Sequence, residues 1–488
     1  MSRVTISLPP AQQQVDGKLT GATGGATYPI LDPATGEEIG VAPDSTGADV
    51  EAAIAAARRA FDESDWSTDR DLRVRCLRQL HAALLEEAEE FKALTTAEVG
   101  MPGFMMTAAG FDVPVEGLRW VIDLLESYEF ETDLGEAQPL GIPTRRTVRR
   151  EPVGVVAAIS PWNVPTQINL AKIGPALAAG CTVVINPSDF TPFSALALGV
   201  LAERAGIPAG VINIVTGLPV DIGAELTSNP TVRKLSFTGS TRIGSLLMEQ
   251  CAPTVKRLSL ELGGNAPFIV FDDADADAAV EGAIASKFRN GGQTCVCSNR
   301  ILVQSGIYDT FAEKLSSRVN AMKVGSGVED GMDIGPMINR PALEKIDRHV
   351  KDAVAKGAKV IAQAPTPDSG QYAAPMVLSG CDTSMELASE ETFGPVAPLF
   401  RFETEEEAVE IANATPFGLA AYFYTENNRR AWRVGEALEF GMVGLNTGVV
   451  STTVSPFGGV KQSGLGREGA RAGIEEYLET KAFHMGGL

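Results

Sequence analysis

Gly154-Val155-Val156-Ala157-Ala158-Ile159-Ser160 is a run of small and β-branched residues that breaks off at Pro161-Trp162-Asn163-Val164-Pro165. Three more short apolar runs follow, Thr182–Asn186, Val211–Val215 and Leu235–Thr238, with helical stretches between them. Wholly apolar strands alternating with helices predict βαβ units around a parallel sheet covered on both faces. A fifth run ends in Glu261-Leu262-Gly263-Gly264. Beyond it a second set begins, with a strand over Pro267–Phe271, a helix over about Asp275–Asn290, a strand over Ile301–Val303 and a helix to Met322. The fold class is α/β, with two open-sheet domains.

Toward the N-terminus, helical periodicity covers Ala48–Phe61 and Leu72–Glu98, the second carrying Leu77, Leu80, Leu84 and Leu94 and closed by Gly100. Both read as amphipathic surface helices. Between them and the first sheet, Pro143-Thr144-Arg145-Arg146-Thr147-Val148-Arg149-Arg150 alternates as an exposed strand does. Its arginines form either a solvated face or an edge that reaches another subunit.

The chain has 488 residues, 44% hydrophobic and 21% charged, enough for two or three domains with full cores. A formal charge of -21 opposes nucleic-acid phosphates and anionic membranes as partners. The longest largely apolar stretch, Ile173–Ile185, is interrupted by Gly174, Pro175, Gly180 and Thr182 and falls short of the roughly 20 residues that span a bilayer. Met1–Pro10 has no apolar core of a secretory signal, so a cytoplasmic address is expected. Six cysteines are too sparse for a disulfide framework, and the three histidines have no metal-ligand spacing, so no metal is expected.

Ligands of open α/β sheets sit beyond the carboxyl ends of the strands. The residues that follow the strands here are Pro161-Trp162-Asn163, Asn186-Pro187-Ser188-Asp189, Thr216-Gly217 with Gly223, Phe237-Thr238-Gly239-Ser240 and Glu261-Leu262. Gly239-Ser240 opens a helix directly after a strand, where free backbone N–H groups suit a phosphate, although Ser240 as a plain N-cap is the competing reading. No Gly-x-Gly-x-x-Gly fingerprint supports it. Cys295 lies in the polar, glycine-rich break Asn290-Gly291-Gly292-Gln293-Thr294-Cys295-Val296-Cys297, where a thiolate can attack a carbonyl. Glu261 ends an apolar strand and is placed to be a general base of raised pKa, unless a nearby Lys or Arg pairs with it. Asn163 can donate its amide to an oxyanion, or merely form a turn.

Taken together, these residues resemble the NAD(P)-dependent aldehyde dehydrogenase superfamily. The similarity runs from Leu31-Asp32-Pro33-Ala34-Thr35-Gly36-Glu37 through Glu390-Glu391-Thr392-Phe393-Gly394-Pro395 and Pro456-Phe457-Gly458-Gly459 to the C-terminus. The resemblance implies a cysteine thiohemiacetal at Cys295, an oxyanion held by Asn163, a thioester, and hydrolysis by water activated at Glu261. Lys172 matches a family lysine beside the active site. Cofactor contacts are implied at Trp162, Asn186, Ser188, Asp189, Gly217, Gly223, Phe237, Gly239, Ser240, Leu262, Glu391 and Phe393. Where the family has Lys-Pro-Ser-Glu, this chain has Asn186-Pro187-Ser188-Asp189, so Asp189 would repel a 2′-phosphate without a compensating cation, and NAD is preferred over NADP.

Within the superfamily the similarity is to succinate-semialdehyde dehydrogenases, on Lys287-Phe288-Arg289-Asn290, the Cys295 loop and Gly473-Ile474-Glu475-Glu476-Tyr477-Leu478. It implies a substrate pocket of Val164, Gln167, Ala171, Arg289, Ser451 and Phe457, in which Arg289 and Ser451 meet a substrate carboxylate and Ala171 stands where those enzymes have a second arginine. A polar or carboxylate-bearing aldehyde is the expected substrate. Aromatic or aliphatic aldehydes, acyl transfer to coenzyme A and a non-catalytic binding protein are the alternatives, the last two opposed by Glu261 and by Cys295, Glu261 and Asn163 together. Cys295 and Cys297 resemble pairs that form a reversible disulfide; an inert neighbour is the other reading. The resemblance further implies a dinucleotide-binding domain of 1–131 and 152–261, a catalytic domain of 262–466 and a small oligomerisation sheet of 132–151 and 467–488, in a homodimer or homotetramer.

Overall fold

The structure is a computed structural model that describes residues 11–486. The reading of Met1–Pro10, and positions 487 and 488 of the C-terminal segment, lie outside the described residues. The chain opens with two hairpins, β1 (Gln13–Val15) with β2 (Lys18–Thr20) and β3 (Thr27–Leu31) with β4 (Glu38–Pro43). Helix α1 (Gly47–Glu63) starts from a capping box between Thr46 and Asp49.

The single long helix expected over Leu72–Glu98 is two, α2 (Arg70–Glu86) and α3 (Ala88–Val99), broken at Glu87, whose φ/ψ of -99/17 is not helical. Helix α2 is the amphipathic surface helix expected, with Asp71, Arg75, Arg78 and Gln79 exposed, whereas α3 is covered along most of its length. Leu77, Leu80 and Leu84 have no exposed surface, because α4 (Asp112–Ser127) and elements further along cover that face, which makes each leucine worth about 1.5–3 kcal/mol of burial. Periodicity reveals an apolar face, not how much chain returns to cover it.

The first α/β set comprises β5 (Glu131–Ala137), β6 (Thr144–Pro152), β7 (Val155–Ile159), α5 (Pro165–Ala179), β8 (Thr182–Asn186), α6 (Phe193–Arg204), β9 (Ile212–Ile214), α7 (Pro219–Ser228), β10 (Val232–Thr238), α8 (Thr241–Cys251) and β11 (Arg257–Glu261). The second comprises β12 (Ala266–Val270), α9 (Ala276–Lys287), β13 (Ser298–Gln304), α10 (Tyr308–Asn320), α11 (Arg340–Ala355), β14 (Lys359–Gln363), β15 (Met376–Cys381), β16 (Val396–Phe402), β17 (Ala420–Tyr424) and β18 (Met442–Leu445). Strands β19 (Gly464–Leu465) and β20 (Leu478–Gly486) close the chain. Helix α9 stops at Lys287, short of the expected Asn290, because Asn290 and Gly291 take positive φ of 49° and 63°.

The first sheet has the order β19-β11-β10-β7-β8-β9-β1-β2. Its five central strands are parallel, as expected, while β1, β2 and β19 add antiparallel edges. From β7 the chain steps outward through β8 and β9, then returns to place β10 on the other side of β7. That reversal opens a crevice beyond the carboxyl ends of β7 and β10, where ligands of such sheets bind. The second sheet has the order β14-β15-β16-β13-β12-β17-β18 and is parallel except at β14. Only Leu262–Asn265 separates the end of β11 from the start of β12, so the carboxyl edge of one sheet meets the amino edge of the other.

A third, antiparallel sheet, β20-β6-β5, contains the expected arginine-rich strand. Arg145 and Arg149 pair with Asp133 and Glu131 of β5 at 2.9 Å each, as a solvated face does. No helix among the described residues is long and apolar enough to cross a membrane.

Candidate active site

The turn after β7 carries Trp162 and Asn163, and it is tied to the loop before β13 by two amides. Asn163 Nδ2 donates to the Gln293 carbonyl at 2.9 Å, and Asn290 Nδ2 donates to the Asn163 carbonyl at 2.9 Å. Asn290, Gly291 and Gly292 all take positive φ, coiling this loop so that Cys295 faces the crevice. Gly264 must be bare, since a Cβ there would strike the Cys295 carbonyl.

Cys295 is half-buried and lines a cavity of about 410 Å³ at the junction of the two sheets. Burial, then the carboxylates of Glu391 and Glu261, push its thiol far above the ordinary range, with Arg289 opposing. The resting nucleophile therefore holds its proton.

Glu261, at the end of β11, is 3% exposed and lines the same cavity. Its Oε2 has no hydrogen-bond partner. Burial and then the neighbouring Glu468 raise its pKa well above the usual carboxylate range, while Lys172 and Arg467 pull it down. Gly458, at φ 151°, lets the chain pass close by: a Cβ there would lie 2.9 Å from Glu261 Oε1. The expected catalytic Lys172 is not at the cavity wall. It is buried behind Glu468, with Nζ 2.8 Å from Glu468 Oε1 and 3.0 Å from Ser236 Oγ, and its charge acts on Glu261 from behind that carboxylate.

Glu391 enters from the opposite side and accepts the Gly264 N–H at 3.0 Å through Oε1. Part of its surface is open, but only toward the cavity, and desolvation there pushes its carboxyl up to about 7 against the Gly264 hydrogen bond and the charges of Lys345 and Lys287. Trp162 and Phe393 meet edge to face at 5.6 Å and 81°.

Of the residues expected to hold a cofactor, Trp162, Gly239, Ser240, Leu262, Glu391 and Phe393 share the cavity with Cys295. Asn186, Ser188, Asp189, Gly217, Gly223 and Phe237 lie outside it, around the ends of β8, β9 and β10. Asn186 Nδ2 is spent on the Val215 carbonyl at 3.0 Å, Ser188 Oγ donates to Asp189 at 3.2 Å, and Gly223 sits within α7. Ser240 does serve as the N-cap of α8, accepting from Ile243 N at 3.3 Å. The set fits a nicotinamide dinucleotide. Gly239 is bare above the Phe237 ring, first-turn amides of α8 lie beside it, the buried Thr238 Oγ1 has no partner, and Glu391 is an acceptor for ribose hydroxyls.

The expected substrate residues, Val164, Gln167, Ala171, Arg289, Ser451 and Phe457, all line the same cavity. Arg289 Nε is buried without a partner, and no carboxylate of the described residues forms an ion pair with it, which removes the internal salt bridge as an account of this arginine. Cys297 lies outside the cavity, its Sγ 2.9 Å from Thr294 Oγ1 and 3.6 Å from the Lys287 carbonyl, and both cysteines are free thiols.

Sequence reading missed Lys345, Glu468, Thr452 and Thr453, which also line the cavity. Glu468 had a faint signal, since it stands between Gly466 and Gly469. Lys345 had none, being one cation among several on an amphipathic helix.

The aldehyde dehydrogenase family model matches residues 20–483. A 3-sulfolactaldehyde dehydrogenase of Pseudomonas putida is 50% identical, covering 99% of this chain and 98% of its own. The succinate-semialdehyde dehydrogenase [NADP(+)] GabD of Escherichia coli (strain K12) is 48% identical, covering 97% and 98%. The crystal structure of succinate-semialdehyde dehydrogenase from Burkholderia pseudomallei is 48% identical, with a TM-score of 0.96 over 99% of this chain and 100% of that one.

Proposed function

The chain belongs to the aldehyde dehydrogenase family, an NAD(P)-dependent oxidoreductase, and we propose that it converts a small aldehyde bearing an anionic group into its carboxylic acid. The observation that carries this reading is the buried, unpartnered Arg289 Nε in the wall of the Cys295 cavity, beside Ser451. A guanidinium without a counter-ion there is satisfied by a carboxylate on the substrate. Relatives named for sulfolactaldehyde and succinate semialdehyde handle substrates with such a second charge.

In the proposed reaction the Cys295 thiol gives its proton to water in the cavity as its sulfur bonds to the aldehyde carbon. The Gln293 carbonyl fixes the orientation of the Asn163 amide by one N–H, leaving the other, with the Cys295 backbone N–H, to hold the oxyanion. A bound nicotinamide would supply the hydride acceptor, held by Trp162, Glu391 and Phe393, and loss of hydride from the Cys295 adduct would leave a thioester on the sulfur. Glu261, whose Oε2 has no protein partner, takes a proton from water; the water oxygen adds to the thioester carbon, the C–S bond breaks, and acid leaves. Lys172 acts through Glu468, holding that carboxylate beside Glu261.

We further propose NAD over NADP. Burial raises the Tyr28 hydroxyl pKa, and the nearby Asp189, Asp44 and Glu98 add to it, an acidic setting close to the end of β8 that disfavours a 2′-phosphate. Further parts of the proposal are the three-part division 1–131 with 152–261, 262–466, and 132–151 with 467–488, a cytoplasmic setting consistent with free cysteines, and a homodimer or homotetramer. Leu134, Leu140, Ile142 and Phe483 are exposed around the β20-β6-β5 sheet, the kind of apolar patch that association covers.

Initial rates with NAD and with NADP, on succinate semialdehyde, an uncharged aliphatic aldehyde of similar length and benzaldehyde, test the reading. The account expects the carboxylated aldehyde to lead in kcat/KM, and Arg289→Met to erase that lead by about ten- to a hundredfold. Uncharged aldehydes leading in the wild type would overturn it.

A further inference from the structure

Lys345, Arg348 and His349 stand at i, i+3 and i+4 on α11, one face of the helix, and all three reach the segment 390–392 that carries Glu391 into the cavity. Lys345 Nζ donates to the Glu391 carbonyl at 3.0 Å. Arg348 donates to Glu390 Oε2 at 2.8 Å, and His349 Nε2 lies 3.1 Å from the same oxygen. His349 Nδ1 lies 3.2 Å from Thr392 Oγ1. The residues on either side of Glu391 are thus both tied to one helix, by a histidine with no exposed surface and a threonine with 2%.

Just before α11, the chain is tied to the nucleophile loop. Ile338 N donates to Gln293 Oε1 at 3.1 Å, and Gln293 Nε2 donates to the Pro336 carbonyl at 3.2 Å. Gln293 is also the residue whose carbonyl receives the Asn163 amide. His349, Glu386 and Glu390 lie close enough together to hold a cation, but Arg348 already pairs with both carboxylates, so the cluster is a clamp.

We propose that His349, backed by Arg348 and Lys345, is the positioning residue that fixes the 390–392 segment so that Glu391 meets the nicotinamide ribose. The proposal rests on the reading of Glu391 as the ribose-holding carboxylate. Glu390 can only accept, so His349 Nε2 carries the proton and Nδ1 is free to accept from the Thr392 hydroxyl; the neutral ring satisfies both neighbours. Burial lowers the pKa of His349, and the Arg348 and Lys345 charges act in the same direction, while Glu390 opposes them and Glu386 and Asp352 are the other carboxylates nearby. The neutral, gripping form is therefore the one present at pH 7.

The test compares cofactor KM and aldehyde KM in the purified enzyme for His349→Ala, His349→Asn, Thr392→Val and Glu391→Gln. His349→Ala and Thr392→Val should each raise the KM for NAD about tenfold with the aldehyde KM unmoved, and His349→Asn, which restores an acceptor for Thr392, should recover most of the loss. A folded His349→Ala enzyme with wild-type KM for NAD, while Glu391→Gln raises it, overturns the positioning role. An unchanged KM in Glu391→Gln defeats the ribose reading itself, and the proposal falls with it. Should His349→Ala fail to fold, Thr392→Val and His349→Asn decide by the same criteria.

Discussion

Glu261 and Glu391 face the same thiol from opposite walls of one cavity, and both are pushed upward in pKa by burial. Their settings otherwise diverge. Glu391 is pinned: Oε1 holds the Gly264 N–H, Lys345 caps its carbonyl, and both sequence neighbours are gripped by α11. Glu261 is loose: Oε2 has no partner, a glycine lies against the other oxygen, and its strongest charged neighbour is another carboxylate, Glu468. A group that must hold a ligand is fixed on every side. A group that must take and release a proton keeps an open lone pair and a poised pKa.

Removing each carboxylate is the strongest way to break this contrast. Glu261→Gln should lower kcat by about 10²–10⁴-fold while leaving the KM for NAD within a factor of about two, since only base catalysis is lost. Glu391→Gln should act the other way round, raising the KM for NAD about ten- to a hundredfold with a smaller loss in kcat. Steady-state kinetics with each substrate varied separates the two, and identical signatures would abolish the distinction.

A finer test uses the neighbours of Glu261. Its base function needs the ionised form, so the acidic limb of the kcat profile follows its pKa. Lys172 lowers that pKa, so Lys172→Met should move the limb to higher pH. Glu468 raises it, so Glu468→Gln should move the limb to lower pH. Shifts in the same direction would mean that the limb reports another group, with the Cys295 thiol the next to examine. The smallest effect is expected at Gly458→Ala, where a Cβ 2.9 Å from Glu261 Oε1 and a φ of 151° should reduce kcat several-fold and stability by about 1 kcal/mol.

What was legible in the sequence follows the same division. The apolar runs ending at Ile159, Asn186, Thr238 and Glu261 announce themselves because a strand buried on both faces tolerates little else, and residues that break such runs stand at the crevice by construction. Asn163, Glu261 and the coiled Cys295 loop were found that way. Glu468 and Lys345 were not, since they arrive through chain reversals and a helix whose amphipathic pattern is the same whether its cations face water or Glu391. Lys172 was placed beside the site because it matches a family lysine there. In the structure α5 turns it toward Ser236 and Glu468 instead. The split of Leu72–Glu98 at Glu87 had no glycine or proline to mark it.

Single-turnover stopped flow on Glu261→Gln, with NAD and succinate semialdehyde both saturating, tests the central claim most directly. If Glu261 serves the second half of the reaction, reduced cofactor should appear in a fast burst of about one equivalent per active site, followed by a slow steady state, as thioester accumulates on Cys295. Loss of the burst itself, with the first hydride transfer as slow as turnover, would place Glu261 in thiol activation and contradict the division of labour between the two carboxylates.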